Sequence, residues 1–323
     1  MLIAKNRILV IILSVALLIP SLYFMNMTKV NYDILSYLPE DLDSTRGQKI
    51  LNDVFSNGTN VYLILEAMET PDILEFKKTV KQIKGIERVL WIDDIVDPSI
   101  PSRILPEMII TATATDTIEV AKITKQMRIL IKAHPKGSSI YLSGMPVLLN
   151  DTSDLVFAET NKYGVAAGLF AIIIMYFTLE STFVPIILLI TMGFAVLYNM
   201  GTNVILGEIS YITKSLVIVL QLGVTMDYSI FLYHRFEEEK MKTGDKNLAM
   251  TNAIANTFVS IAGSSLTTIA GFLSLCAMKL GLGWDMGVVM AKGVIIGVLT
   301  AITILPAFLL AFNSLIERSC HRT

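Results

Sequence analysis

The chain has 323 residues, of which 53% are hydrophobic and 17% are charged, and its formal net charge is −2. A soluble globular protein carries about 25% charged residues, so the composition excludes an ordinary soluble domain. The small negative charge argues against nucleic acid as a partner. Charged residues concentrate between about residues 28 and 162 and are scarce afterwards, apart from a cluster at 235–246. This distribution indicates a soluble domain inserted between membrane segments.

Six apolar runs are long enough to cross the hydrocarbon core of a bilayer, which takes about 20 residues of α-helix. The runs cover residues 8–27, 163–179, 184–206, 212–233, 258–278 and 286–312, and a tail at 313–323 follows them. The first run is too long for the apolar region of a secretory signal, and no small-x-small cleavage site closes it. We therefore interpret it as an uncleaved membrane anchor within transmembrane segment 1–27.

Lysine and arginine residues predict the orientation, because cytoplasmic ends of spans are enriched in them. Lys5 and Arg7 place the N-terminus in the cytoplasm, and six crossings return the tail to the same side. The basic loop 234–257 is then cytoplasmic and residues 28–162 form an extracytoplasmic domain, so we expect a multi-pass protein of the cell (inner or cytoplasmic) membrane. Lys292, inside the sixth run, either snorkels outward or belongs to a polar pathway.

The segment between the first two runs alternates strand and helix patterns. Strands are predicted at 59–67, 86–92, 108–115 and 139–142, and helices at 44–55, 70–83 and 117–133. The order β-α-β-β-α-β is the ferredoxin-like split pattern. The predicted fold class is therefore a membrane α-helical protein of six transmembrane helices, 163–312 holding the last five, with an α+β ferredoxin-like domain. The sequence shows no cluster typical of an enzyme or metal site, so we expect no enzymatic activity, cofactor or metal.

The fourth run contains the most informative residues, Asp227 and Tyr228. A carboxylate within the bilayer is costly and is a functional-site hypothesis by default. A neighbouring phenol can hydrogen-bond to either protonation state of the carboxyl group, so the pair is suited to carrying a proton. The alternative is that Asp227 lies near the cytoplasmic surface and is merely hydrated, because Arg235 is only two turns away.

The fifth run carries small and polar residues at helical spacing. Ser260, Ser264 and Thr268 recur every four residues, as do Gly263, Thr267 and Gly271. Small residues at this spacing are typical of close helix packing, which explains most of them. Ser264 and Thr268 are in addition candidates for supporting the Asp227 layer.

The stretch from Gly223 to Glu239 reads Gly-x-x-x-Asp-Tyr-x-x-Phe-Leu-x-x-Arg-x-x-Glu-Glu, with Arg235 as its arginine. It resembles the fourth-helix signature of the RND superfamily, specifically the MMPL-type branch of lipid and hydrophobe exporters. Weaker similarities are Gly144-x-Pro146 before the second run, 38–41 after the first and 305–307 near the end of the sixth. The resemblance covers essentially the whole chain.

This resemblance implies a proton relay, in which the Asp-Tyr pair meets a matching pair on a second six-helix half. Asp227 would carry the proton and Tyr228 would hydrogen-bond to it. The implied function is export of lipids or of hydrophobic or amphiphilic compounds, driven by the H⁺ gradient, with membrane lipids as surroundings. Typical members carry two halves in one chain, whereas this sequence contains one, so it resembles either an N-terminal half or a half-size member. The second half is either a copy of this chain or another polypeptide.

Two other functions are compatible with six spans and an outer domain. The SecF-type accessory subunit of protein export is also an RND half, but its fourth helix prefers Asp-Ala-Asn where this chain has Asp-Tyr-Ser at 227–229. A lipid-sensing membrane protein that does not pump is the other alternative.

Overall fold

The computed structural model of the protein describes residues 5–55, 59–66, 68–91, 107–112, 117–135 and 140–319. The chain divides into two compact units. The helical unit comprises Met1–Pro39 and Val156–Thr323, and the α+β unit comprises Glu40–Leu155. The α+β unit is thus shorter at both ends than the predicted extracytoplasmic domain, 28–162.

Within the described residues, six helices are long and apolar enough to cross a membrane, which confirms the predicted membrane fold. They are α1 (Arg7–Met27), α5 (Met145–Thr178), α6 (Val184–Thr202), α7 (Tyr211–Thr243), α8 (Lys246–Ser274) and α9 (Gly281–Ala311), and a short α10 (Asn313–Arg318) follows. Short 3₁₀ turns follow three elements of the unit, at Ile34–Tyr37, Asn203–Leu206 and Leu275–Ala277. The protein is therefore a multi-pass membrane protein.

Helices α6 and α9 form the centre of the helical unit. In their most apolar stretches 67% and 61% of residues are buried, against 6% in α1. The core joins residues such as Met192 of α6, Phe236 of α7 and Leu305 of α9, which are fully buried. In α1, α5 and α8 only 6–12% of the residues of the most apolar stretch are buried, as expected for helices that face lipid.

A two-stranded parallel sheet closes one end of the helical unit. Strand β1 (Lys29–Asn31) follows α1, and strand β6 (Glu208–Ser210) precedes α7. The side-chain amide of Asn31 donates a 2.7 Å hydrogen bond to Glu208 Oε1, and the rings of Tyr32 and Tyr211 stack at 5.7 Å.

The segment 234–257, predicted as a cytoplasmic loop, is not an irregular loop, because helix covers it except for the turn at Gly244 and Asp245. Its cytoplasmic location stays a prediction. Gly244 ends α7 in the left-handed conformation (φ +68°), and the Asp245 side chain caps α8 by accepting from Asn247 N at 2.8 Å. Charged residues extend α7 beyond the apolar run, because Lys242 pairs with Glu238 four residues earlier at 2.8 Å.

The α+β unit confirms the ferredoxin-like prediction. Its elements are α2 (Asp43–Phe55), β2 (Thr59–Leu65), α3 (Thr70–Lys81), β3 (Ile86–Leu90), β4 (Glu107–Ala112), α4 (Thr117–Ala133) and β5 (Ile140–Ser143). The four strands form one antiparallel sheet in the order β3-β4-β2-β5. Alternate residues such as Leu63 and Met108 are fully buried and pack with Ile73 and Met127 of the two helices.

Candidate functional site

Asp227 and Tyr228 lie in the middle of α7. Asp227 is 16 residues, or about 24 Å, from Tyr211, the first residue of the helix. It is eight residues, or about 12 Å, from Arg235, where the charged part of α7 begins. This position places Asp227 within the apolar part of α7 and nearer to its charged end.

The two side chains point in different directions because successive residues on a helix are rotated by about 100°. Tyr228 is 6% exposed and packs in the hydrophobic core of the helical unit. Asp227 is exposed on the surface of the unit. Among the described residues, nothing donates a hydrogen bond to its carboxylate or forms an ion pair with it. The helical unit by itself therefore does not bury Asp227.

An open cavity of about 410 Å³ brings the predicted site residues together. Asp227 and Tyr228 line it from α7, and Ser260, Ser264 and Thr268 line it from α8. The remaining lining is apolar, from Val224, Phe231 and Ile261. The Thr268 hydroxyl donates to the Ser264 carbonyl at 3.1 Å. The cavity thus combines one carboxyl group with several hydroxyl groups, which can bind, donate and accept protons.

The other motif residues lie outside this cavity. Gly223, one turn before Asp227, is exposed, and a Cβ there would meet no atom within 4 Å. Arg235 pairs with Glu238 at 2.6 Å and with the nearly buried Glu239 at 3.3 Å. These contacts assign Arg235 to the charged end of α7 and not to the cavity.

Gly144 and Pro146 form the turn from β5 into α5. Gly144 has φ +115°, a conformation that L side chains rarely adopt, and a Cβ there would lie 2.9 Å from the backbone oxygen of Asn60. Pro146 is the second residue of α5 and is buried. Both residues therefore have structural reasons for their identity.

A buried polar junction between α6, α7 and α9 was not predicted from the sequence. Asn199, which is fully buried, donates from Nδ2 to Gln221 Oε1 at 2.8 Å and to the carbonyl oxygen of Val289 at 3.3 Å. Gln221 donates from Nε2 to the carbonyl oxygen of Gly293 at 3.2 Å. The close approach is possible because residue 293 is glycine, and a Cβ there would lie 2.5 Å from Asn199 Nδ2.

Lys292 is bound within this junction. Its ammonium donates to Asn199 O at 3.1 Å, to Thr202 Oγ1 at 2.9 Å and to Asn203 Oδ1 at 2.5 Å. These oxygens lie at the C-terminal end of α6, where a positive charge is favourable. Lys292 therefore caps α6 from α9 instead of snorkelling freely into water. The feature of the sequence that could have indicated this junction is the presence of three polar residues, Asn199, Gln221 and Lys292, inside apolar runs.

The start of α7 is anchored by a buried carboxylate. Asp285 of α9 is 4% exposed and accepts from Ser210 N at 2.8 Å and from Thr213 Oγ1 at 2.5 Å. Burial, with the carboxylates of Asp285 and Glu208 nearby, raises the pKa of the Tyr37 hydroxyl above its usual range. Tyr37 thus stays protonated beside the two carboxylates at every physiological pH.

The chain matches a known protein family. Residues 107–317, well over half of the chain, match the MMPL family. The probable transport protein MmpL4 of Mycobacterium leprae is 22% identical over 93% of this chain and 33% of its own length. The apo-petrobactin exporter of Bacillus anthracis is 29% identical over 56% of this chain and 25% of its own length.

A solved structure shares the fold. The crystal structure of SecDF in a super-membrane-facing form superposes with a TM-score of 0.51 at 13% identity, over 98% of this chain and 39% of that chain. This chain also spans less than half of the length of the curated relatives that it matches most strongly. The family match, the six apolar helices and the ferredoxin-like unit agree: the chain belongs to the MMPL family, within the RND superfamily of membrane transporters.

Proposed function

We propose that this chain is one six-helix half of an exporter for lipids or other hydrophobic or amphiphilic compounds, driven by the proton-motive force. Asp227 carries the proton, Tyr228 is its hydrogen-bonding partner once α7 meets the second half, and Ser264 and Thr268 support the relay. The chain works as a transporter and not as an enzyme, and the H⁺ gradient takes the place of a cofactor.

One observation carries this proposal: Asp227 lies in the apolar part of α7, in an open cavity whose other polar groups are hydroxyls. A carboxylate facing hydrocarbon without a partner is costly, so its retention there needs a function or a covering partner. The function is the loading and release of a proton at Asp227, and the covering partner is a second six-helix half.

The second half is inferred from the open side of the cavity. Asp227 is exposed although it lies mid-span, and Gly223 and Gly263 on the neighbouring surface leave open space beside their backbones. Small residues permit a close approach of helices in membranes. A second six-helix half, from a copy of this chain or from another polypeptide, would bring its own proton-relay groups to Asp227.

The names of relatives support transport and a lipid cargo. One is named an exporter of apo-petrobactin and another a probable transport protein. A third, 27% identical over 48% of this chain, is named an exporter of mycolic acid-containing lipids in Mycolicibacterium smegmatis. The likeness to SecDF concerns the fold alone. The sequence Asp-Tyr-Ser at 227–229 favours the exporter over the protein-export accessory.

The test combines assembly with transport. Native mass spectrometry in nanodiscs shows first whether the chain pairs with itself, and a second half is supplied by co-expression if it does not. Efflux of hydrophobic dyes from cells is then compared for Asp227→Asn and for Asp154→Asn, the same change at an exposed residue of α5. We expect Asp227→Asn to abolish efflux with normal membrane insertion, and Asp154→Asn to leave efflux unchanged. Normal efflux by Asp227→Asn would refute the relay.

A further inference from the structure

A second cavity lies at the opposite end of the helical unit from strands β1 and β6. Its volume is about 770 Å³. The start of α1 and the start of α8 line it, and we call it the basal pocket. Its lining residues are Lys5, Asn6, Arg7, Ile8, Leu9, Asp245, Asn247, Leu248 and Thr251.

The basal pocket is positively charged at its rim. Lys5 is exposed, and Arg7 is held in place because its guanidinium donates to Leu310 O at 3.4 Å. The one carboxylate of the lining, Asp245, accepts from Asn247 N and so caps α8. The rim thus carries two positive charges and one negative charge, and the negatively charged carboxylate already accepts a hydrogen bond. This balance favours binding of an anion.

The wall of the basal pocket is apolar. Ile8 and Leu9 are 66% and 64% exposed, and Leu248 is 50% exposed. All three follow the polar rim by one to four residues along helices that cross the membrane. The pocket therefore changes from cationic to apolar over roughly one helical turn, about 5 Å along the helix axis.

The basal pocket lies at the ends of the spanning helices, which is where a transmembrane helix meets lipid headgroups. Arg7 begins α1 and contacts Leu310 near the end of α9, so both chain ends of the bundle reach the same membrane face. The turn at Gly244 and Asp245 between α7 and α8 lies at this face as well. A cationic rim above exposed apolar side chains at this depth matches the division of a phospholipid into phosphate and acyl chains.

We propose that the basal pocket binds an anionic phospholipid of the surrounding leaflet. The ammonium of Lys5 and the guanidinium of Arg7 form charge-assisted hydrogen bonds to the phosphate, and the side-chain amide of Asn247 donates a further one. One acyl chain lies along Leu9 and Leu248. This inference is independent of proton transport at Asp227.

The experiment measures lipid retention by native mass spectrometry. The full chain is purified in detergent with equal amounts of phosphatidylglycerol and phosphatidylcholine, and the ratio of bound species is recorded. We expect phosphatidylglycerol to exceed phosphatidylcholine, and Lys5→Gln to reduce that excess about fivefold, the effect of one cation at a membrane surface. Lys29→Gln is the matched control, because Lys29 is exposed at the other end of α1. It should leave the excess unchanged.

A second variant separates the pocket from general electrostatic attraction. Thr251→Trp fills the pocket and keeps both Lys5 and Arg7. It should therefore remove the phosphatidylglycerol excess without changing the charge of the protein or its orientation in the membrane. Circular dichroism confirms that each variant is folded. An equal loss in Lys5→Gln and Lys29→Gln, or an undiminished excess in folded Thr251→Trp, would overturn the proposal.

Discussion

The contact between α1 and α6 leads to a quantitative prediction about two glycines of the same helix. A Cβ at Gly201 would lie 2.6 Å from both the Cα and the backbone oxygen of Ser21 in α1. A Cβ at Gly193, two turns earlier, would meet no atom within 4 Å. Replacement by alanine therefore adds the same methyl group at both positions, but at Gly201 the space is already occupied by α1 and at Gly193 it is empty.

The expected energies follow from this difference. Ordinary contacts of a Cβ lie at 3.4–4 Å, so the backbone of α1 must move away by about 1 Å, which forfeits a quarter to a half of each contact's dispersion energy. Overpacking of this kind costs about 1–3 kcal/mol. Replacing glycine by alanine inside a helix contributes about 0.5–1 kcal/mol of stability, and this gain is common to both variants. Gly193→Ala should thus stabilise the protein, and Gly201→Ala should be about 1–3 kcal/mol less stable than Gly193→Ala.

The assay is reversible unfolding in mixed micelles of SDS and a non-ionic detergent, followed by circular dichroism. The difference between the two variants matters more than either value, because the helix propensity cancels. Equal free energies of unfolding for Gly193→Ala and Gly201→Ala would show that α1 does not approach α6 as closely as described, and would refute the reasoning.

Two further variants test the polar junction and the turn before α5 in the same unfolding assay. Lys292→Met should destabilise the helical unit by about 1–3 kcal/mol, because buried oxygens at the end of α6 lose their donor, whereas exposed Lys162→Met should change little; equal effects would contradict the capping role. Gly144→Ala should destabilise the α+β unit by at least about 1 kcal/mol, because its φ is left-handed and its Cβ would strike Asn60 O. Gly47→Ala, in an open place on α2, should not destabilise that unit.

The membrane fold could be predicted because apolar runs of about 20 residues have few alternatives to spanning helices. The ends of the helices could not be predicted in this way. The apolar pattern stops where the membrane ends, whereas the helix continues beyond that point. α7 continues to Thr243 through charged residues, although the spacing of Glu238 and Lys242 already favoured helix. α5 begins at Met145, well before the apolar run at 163, for the same reason.

The candidate site was predictable in part. Asp227 and Tyr228 stood out as polar residues in an apolar run, and the four-residue spacing of Ser264 and Thr268 placed them on one face of α8. That face borders the same cavity as Asp227. The exposure of Asp227 was not predictable, because it depends on whether a second half covers α7.

The polar junction was also beyond sequence reasoning. Asn199 contacts Gln221, and Lys292 contacts the end of α6. These contacts join different helices, and the spacing of residues along the chain does not show which helices are neighbours. Polarity identifies such residues, but only the packing of α6, α7 and α9 assigns their partners.

The pairing of β1 with β6 has a mechanical consequence. The chain that leaves α1 is hydrogen-bonded along Lys29–Asn31 to the three residues before α7, and at Glu40 it continues into the α+β unit. Any shift of α7 along its axis must either move this ribbon with it or break the hydrogen bonds between β1 and β6. The ribbon thus ties the chain that leaves α1 directly to the residues that begin α7.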